Sequence, residues 1–592
     1  MRPRRLPSAI LTLTALASAA LLAAVPATAQ EEAATARSLE VDDLFRVARV
    51  GSPRVSPEGD WIAYTVSTTS LEEGRSFTRV WMSSSDGDEH VPLTRADQSA
   101  GSPDWSPDGR YLTFTASRNG DRAQVWALDR RGGEAFPLTD VEQGVQGYAW
   151  SPDGTRLLLT LRDPEEEDAS GEEGGDTEDP EDDPDGERDD APPDPWVVDR
   201  LQIKRDGRGY LTGDRHTHLY VLELETGELR QLTTGRWDEG SAVWSPDGTR
   251  VAFVSNRTPD PDTNVDTDLW VVDADLEEPT EIPRQVTTQP GRDGSPAWSP
   301  DGRFLAYVTT PDVDAIWYAT SHLAVVEVPE GATRRPEPRI LTQGLDRNVR
   351  SPRWSDDGEV IWFGLEDSAE DHLARIRPDG SGFARPVSGP LSAFGFHWAG
   401  GTFAVQVNTL DRPGEVFVAD GLDGEASPNR PADLRRVTRH NVHFRSEDGT
   451  EIEGFVAVPP GYRPEGADRR RLPVLLRIHG GPVSQYRHTF NFEAQLFAAH
   501  GYLVVYTNPR GSSGYGQAFS EAIFADWGQK DFQDVMAGVD FVIEEGWGDP
   551  GRLGVGGWSY GGILTNYVIT QTDRFEGAIT RASEVRSSAT TG

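Results

Sequence analysis

The chain has 592 residues, more than one ordinary domain holds, so two or more domains are expected. It carries 97 acidic against 57 basic residues, a formal charge of −40, which excludes a binder of the phosphate backbone: nucleic acid is not expected as a partner. Cysteine is absent, which excludes disulfides, thiolate metal sites and a cysteine nucleophile.

In chain order, the first element is an export signal over residues 1–29. Arg2, Arg4 and Arg5 form a basic start, Ala9 to Val25 an apolar core, and Ala27-Thr28-Ala29 a small-residue cleavage site, so the mature chain is expected to begin at Gln30. No later apolar run is long enough to anchor the chain, so no stable membrane insertion is expected after cleavage. The expected location is periplasmic or extracellular.

A repeat then dominates the propeller region assigned to residues 30–437. Its core is Trp-Ser-Pro-Asp-Gly followed by a strand: Val55-Ser56-Pro57-Glu58-Gly59, then the copies led by Trp105, Trp150, Trp244, Trp298 and Trp354, with a degenerate seventh at Trp398-Ala399-Gly400-Gly401. Proline fixes φ at the second turn position, Asp caps the backbone and Gly takes the positive φ, so each copy predicts a hairpin turn. The spacing of about 45–55 residues matches one four-stranded propeller blade. Seven motifs indicate seven blades, with six or eight left open because the first and last blades are the least regular. Each motif Trp is expected to be buried beside the turn of its own blade. His216 and His218 alternate along a strand and are expected at the surface.

One interval is longer because it holds an insert, Asp163 to Asp194, with 18 Asp or Glu and one Arg in 32 residues. It lacks the apolar surface to order itself and is expected to be a disordered, dispensable loop.

From residue 438 the pattern changes. Val442-His443-Phe444, the turn Glu447-Asp448-Gly449 and Ile452–Pro460 predict an antiparallel hairpin. Leu472–Ile478 predicts a buried strand running into His479-Gly480-Gly481-Pro482, a loop of the kind that supplies an oxyanion-hole N–H. Tyr502–Tyr506 predicts another strand. Arg552–Val555 predicts a short strand entering Gly557-Trp558-Ser559-Tyr560-Gly561, the nucleophile-elbow pattern, with a helix over Ile563–Ile569 behind it. Strands alternating with helices predict an α/β-hydrolase sheet over residues 438–592.

A propeller followed by such a domain resembles the prolyl oligopeptidase family of serine peptidases. The motifs that carry the resemblance are Val456-x-Val458-Pro459-Pro460-Gly461, His479-Gly480-Gly481-Pro482, Asn508-Pro509-Arg510-Gly511-Ser512-Ser513-Gly514-Tyr515-Gly516, Asp526-Trp527-Gly528 with Asp531 and Asp534, and Gly557–Gly562. The His-Gly-Gly-Pro form looks most like the acylaminoacyl-peptidase and dipeptidyl-peptidase branch. The resemblance implies Ser559 as the acylating nucleophile, the N–H groups of Tyr560 and Gly481 as the oxyanion hole, and Gly557 and Gly561 as the elbow's small residues. It implies short peptides as substrates and no metal or organic cofactor. Nothing in the sequence indicates an oligomeric state.

The pattern departs from the family in one respect. The triad order in α/β-hydrolases is Ser, then Asp or Glu, then His, yet no histidine follows His500 and the only Asp after Ser559 is Asp573. The expectation is a hydrolase domain cut short, with its sheet ending at the elbow strand and the chain inactive as given. The alternatives are a non-catalytic, propeller-containing product, an esterase on the same scaffold, or an upstream base among His479, His488 and His500.

Overall fold

The computed structural model describes residues 37–51, 53–118, 122–164, 201–205, 209–210, 215–328, 336–418, 437–464, 466 and 470–582. The export signal 1–29, the acidic insert beyond Pro164 and the stretch Glu584–Gly592 lie outside the described residues.

The repeat builds antiparallel sheets. Five stand alone, with four or five strands each, and a sixth, seven-stranded sheet consists of a four-stranded and a three-stranded part joined by the single parallel bridge Asp371↔Ser392. These are seven blades. Each motif folds as a locked turn. In the second copy, the Ser106 hydroxyl donates to Asp108 Oδ1 (2.6 Å) and accepts the Tyr111 N–H (2.8 Å), while Gly109 sits at φ 68°. The same Ser–Asp lock recurs at Ser151, Ser245, Ser299 and Ser355.

The turns also stack on one another. A Cβ placed on Gly154 would lie 3.5 Å from Pro107 of the preceding turn, and Gly248, Gly302 and Gly358 ride on Pro152, Pro246 and Pro300 in the same way. The ring closes where Gly59 meets Gly400: a Cβ on Gly59 would stand 2.6 Å from the Gly400 carbonyl.

The motif tryptophans differ in part from expectation. Trp105, Trp244, Trp298 and Trp354 are buried, but Trp150 is only half-buried. Each indole N–H also reaches out of its own blade: Trp105 donates to the Arg54 carbonyl (2.9 Å), Trp244 to Ala149 (3.2 Å), Trp298 to Val243 (3.3 Å) and Trp354 to Ala297 (3.0 Å). A buried indole needs an acceptor, and the preceding blade's inner strand offers its carbonyls. A second repeat, carried by single threonines, lies ahead of most inner strands. The hydroxyls of Thr94, Thr139, Thr233, Thr287 and Thr342 accept backbone N–H groups of Val80, Val125, Leu219, Leu269 and Leu323. His218 corrects the surface expectation. It is buried, 2.7 Å from Glu239, because the strand bearing it is covered by the next blade.

The second unit is one six-stranded sheet in the order Thr438–Arg445, Glu451–Val458, Leu503–Asn508, Leu472–Ile478, Gly548–Trp558, Gly577–Arg581. The first three are joined antiparallel and the rest parallel. Helix Lys530–Glu544 covers one face through Val535, Val539 and Val542, spaced four and three residues apart. The sheet therefore continues past the elbow strand, where the sequence predicts its end. Gly577–Arg581 adds an edge strand, and its run Ala578-Ile579-Thr580 is too short and too exposed to show an apolar signature. Among the described residues no helix is long and apolar enough to cross a membrane.

The two units meet on the propeller face where second strands turn into third strands. The blade 6 tip Ser368-Ala369 adopts positive φ at both residues and inserts into the hydrolase unit. There Ala369 is fully buried beside Phe455 and Tyr506, its N–H donates to Gln485 Oε1 (2.9 Å), and its carbonyl accepts the His488 N–H (2.9 Å). Arg487 pairs with Glu366 and with Asp371 (3.2 Å) beside that tip.

Candidate active site

Ser559 occupies the turn between strand Gly548–Trp558 and helix Tyr560–Gln571. Its backbone sits at φ 55°, ψ −124°, a strained conformation for a residue with a Cβ. Only very small neighbours permit this turn. A Cβ on Gly557 would stand 2.2 Å from the Gly561 carbonyl, and one on Gly561 would stand 2.2 Å from the Ile478 carbonyl and 2.7 Å from that of His479.

The His-Gly-Gly loop lies against the elbow because its strand pairs directly with the elbow strand, Ile478 opposite Gly557. A Cβ on Gly480 would meet Ser559 Cβ at 3.4 Å. Ser559 is half-buried at the carboxyl ends of these two parallel strands, where open α/β sheets form their crevices. Its hydroxyl has no hydrogen-bond partner among the described residues. The N–H groups of Gly481 and Tyr560 likewise have no acceptor among them. The structure thus brings Ser559, Tyr560, Gly557, Gly561 and the Gly480-Gly481 loop together.

Tyr560 is held from behind. Its phenol donates to Asp531 Oδ2 (2.5 Å), and Asp531 also accepts the Gly528 N–H (2.8 Å). Burial pushes the Asp531 carboxyl up, against the hydrogen bonds from Tyr560 and Gly528 that favour its charged form. Burial and the facing carboxylate push the Tyr560 phenol well above its ordinary value, so it remains a donor. The Trp527 ring packs edge-on against Tyr560, with centroids 5.1 Å apart. Asp531 and Trp527 belong to motifs visible in the sequence, but their role is not legible there, because their target is the Tyr560 side chain, 29 and 33 residues away. Asp534 and Arg510 form a separate buried pair (2.7 Å), which fixes the Asn508–Gly516 loop.

The histidines do not join this group. His479 is buried, its Nε2 2.9 Å from the Ser512 hydroxyl and its Nδ1 2.8 Å from the Gly480 carbonyl. Burial first, and then Arg487, hold its imidazole down to about 4. His488 lies edge-on to Phe455, with Nε2 3.2 Å from Asn441 Nδ2, and is also held down to about 4, by burial and then Arg439. His500 is exposed at the end of helix Phe492–Ala499 and sits 2.9 Å from the Leu496 carbonyl. All eleven histidines are among the described residues, and none hydrogen-bonds to Ser559. Asp573 lies exposed beyond the elbow helix.

Residues 488–590 match the Prolyl oligopeptidase family. Over 577 residues the chain is 32% identical to the uncharacterized peptidase YuxL of Bacillus subtilis, covering 92% of this chain and 82% of that protein. The chain belongs to the prolyl oligopeptidase family. As a member it is a serine peptidase, with the propeller and α/β-hydrolase units that this family combines. Another relative is the dipeptidyl-peptidase 5 of Aspergillus oryzae, 29% identical over 347 residues, which are 55% of this chain and 46% of that one. Among solved structures, the Pyrococcus horikoshii acylaminoacyl peptidase superposes with a TM-score of 0.73 at 21% identity, covering 92% of this chain and 79% of that one. That likeness is one of fold.

Proposed function

We propose that Ser559 is the acylating nucleophile of an exported peptidase that cleaves short peptides, with the N–H groups of Gly481 and Tyr560 as its oxyanion hole. The observation that carries this reading is the pair of partnerless N–H groups flanking a strained serine whose own hydroxyl is unengaged. Two preorganised donors of this kind contribute several kcal/mol, ~3 each, to the stabilisation of a tetrahedral oxyanion. The Asp531–Tyr560–Trp527 packing holds one of them still. Short peptides are favoured because the propeller covers one side of the hydrolase unit, and because relatives are named for cleaving dipeptides and acylated residues from peptides.

No histidine among the described residues hydrogen-bonds to Ser559. Without an imidazole to take its proton, the Ser559 hydroxyl attacks as a neutral alcohol, and amide turnover falls by roughly 10⁴-fold or more. Residues 30–592 by themselves are therefore proposed to be catalytically silent. The test is to react this chain and its Ser559→Ala variant with a fluorophosphonate, and to assay both on aminoacyl and acyl-aminoacyl chromogenic amides. Slow labelling confined to Ser559, with no amide turnover, is expected. Labelling that survives Ser559→Ala refutes the nucleophile. Rapid turnover lost in Ser559→Ala refutes the absence of a base and directs the search to His479 and His488.

A further inference from the structure

The innermost strand of each blade ends at the motif turn, and the residue just before the motif aromatic stands near that end. Blades 6, 7, 1 and 2 carry Arg353, His397, Arg54 and Asp104 there, whereas blades 3 to 5 carry only Ala or Val. These positions lie at the mouth of the propeller remote from the hydrolase unit. Inner strands start on the hydrolase side, where Asp346, just ahead of strand Val349–Trp354, accepts the Gln517 N–H (2.9 Å), and they run away from it.

The four polar residues converge on the propeller axis. Arg353 and Asp104 belong to blades 6 and 2, with two blades between them, yet each feels the other's charge, and each also feels Arg54. Contacts between successive blades hold them in this arrangement: Arg353 on the Trp398 carbonyl, His397 on the Val55 N–H and Trp105 on the Arg54 carbonyl. His397 Nδ1 accepts the Val55 N–H (3.1 Å), which places the ring proton on Nε2. Burial, then Arg353 and Arg54, hold this imidazole down to about 2, so it is a neutral donor.

The two guanidiniums are unusual for a chain with 97 acids and 57 bases. Arg54 donates to the Pro53 carbonyl (3.1 Å), and Arg353 to the Trp398 carbonyl (3.2 Å) while lying 4.3 Å over the Trp398 ring. Neither forms an ion pair with a carboxylate among the described residues. Asp104 spends one oxygen on the N–H of its neighbour Trp105 (3.0 Å). Arg353 on Trp398 and His397 on Val55 set two guanidiniums on either side of the blade that carries a neutral N–H donor, beside one acid, Asp104, whose carboxyl burial pushes up; such a group forms a cradle for an anion. The planar guanidinium fork matches a carboxylate in particular.

We propose that Arg54, Arg353 and His397 form a carboxylate subsite at the propeller mouth opposite the hydrolase unit, which holds the free C-terminus of a short peptide. The peptide ligand rests on the function proposed above, but the titration that tests the subsite does not depend on Ser559 chemistry, so either can fail alone. The experiment is calorimetric titration of the Ser559→Ala chain with tetra-alanine and with its C-terminal amide, alongside sodium acetate and inorganic phosphate. The free acid is expected to bind about ten-fold tighter than the amide, and acetate is expected to compete with it. That preference should vanish in Arg54→Gln/Arg353→Gln and increase several-fold in Asp104→Asn, a gain that misfolding cannot mimic. Equal affinity for acid and amide, or a preference that survives the double Gln variant, overturns the proposal. Phosphate binding at these arginines with no binding of tetra-alanine overturns the peptide assignment.

Discussion

Trp527 of the hydrolase unit donates its indole N–H to the Tyr318 hydroxyl of propeller blade 5 at 2.9 Å. The same indole lies edge-on against Tyr560, the residue after the nucleophile. The propeller thus reaches the proposed oxyanion donor through only two side chains. Tyr318→Phe takes the acceptor from a half-buried indole N–H, at a cost of about 1 kcal/mol. The expected result is a melting temperature a few degrees lower and slower fluorophosphonate labelling of Ser559. An unchanged labelling rate would mean that the contact serves stability alone.

The elbow tolerates no Cβ at Gly561, where one would sit 2.2 Å from the Ile478 carbonyl, whereas a Cβ on Gly577 meets nothing within 4 Å. Gly561→Ala is expected to destabilise the hydrolase unit by about 3 kcal/mol or more through backbone displacement. Gly577→Ala is expected to be close to neutral. Urea unfolding of the two variants side by side checks the contrast.

Three buried imidazoles should withdraw stability in mild acid. His479 and His488 titrate near 4 in the folded chain and His397 near 2, against 6.5 when exposed. Between those values these imidazoles bind more protons in the unfolded chain, so the stability they contribute is full above pH 6.5 and declines as the pH falls toward 4, while the Asp293 carboxyl, raised by burial to about 7, acts in the opposite sense. The slope is on the order of 1 kcal/mol per pH unit for each imidazole. His488→Phe keeps the apolar packing on Phe455 and removes one titrating group, so it should flatten the dependence of melting temperature on pH between 6.5 and 4.5. A slope identical to that of the parent chain would count against burial as the cause.

Removal of residues 165–200 should leave the propeller intact. The hairpin base is tied without them: the Asp163 carboxylate accepts the His216 N–H (2.8 Å) and its carbonyl accepts Arg215 Nε (2.9 Å). A melting temperature within about 1 °C of the parent is expected, and a fall above about 5 °C would show that the insert packs.

Trp298→Phe keeps most of the apolar ring but loses the hydrogen bond to Val243 and weakens the stacking of the Arg250 guanidinium, 4.9 Å from the ring. A loss of about 1–2 kcal/mol is expected in chemical unfolding. If that loss is absent, the indole N–H does not join blades 4 and 5.

The elements most legible in the sequence are those whose chemistry is local. The Ser-Pro-Asp-Gly turn closes within six residues, so its copies count the blades. Gly557-x-Ser559-x-Gly561 and the strand Leu472–Ile478 were readable because sterics and apolar runs act within a few positions. The edge strand Gly577–Arg581 was not readable, since its exposed residues bear no apolar pattern and only pairing with Gly554–Trp558 makes it a strand. His218 read as a surface residue because the Glu239 that holds it comes from the next blade.

By itself the sequence determined the propeller repeat and the elbow serine, because each follows from residue identity and short spacing. Only the tertiary structure decided that the motif indoles join neighbouring blades, that Asp531 and Trp527 stand behind Tyr560, and that Arg54, Arg353 and His397 meet at one axis. Those relationships join residues tens to hundreds of positions apart, and chain closure brings such residues together through packing that no local pattern encodes.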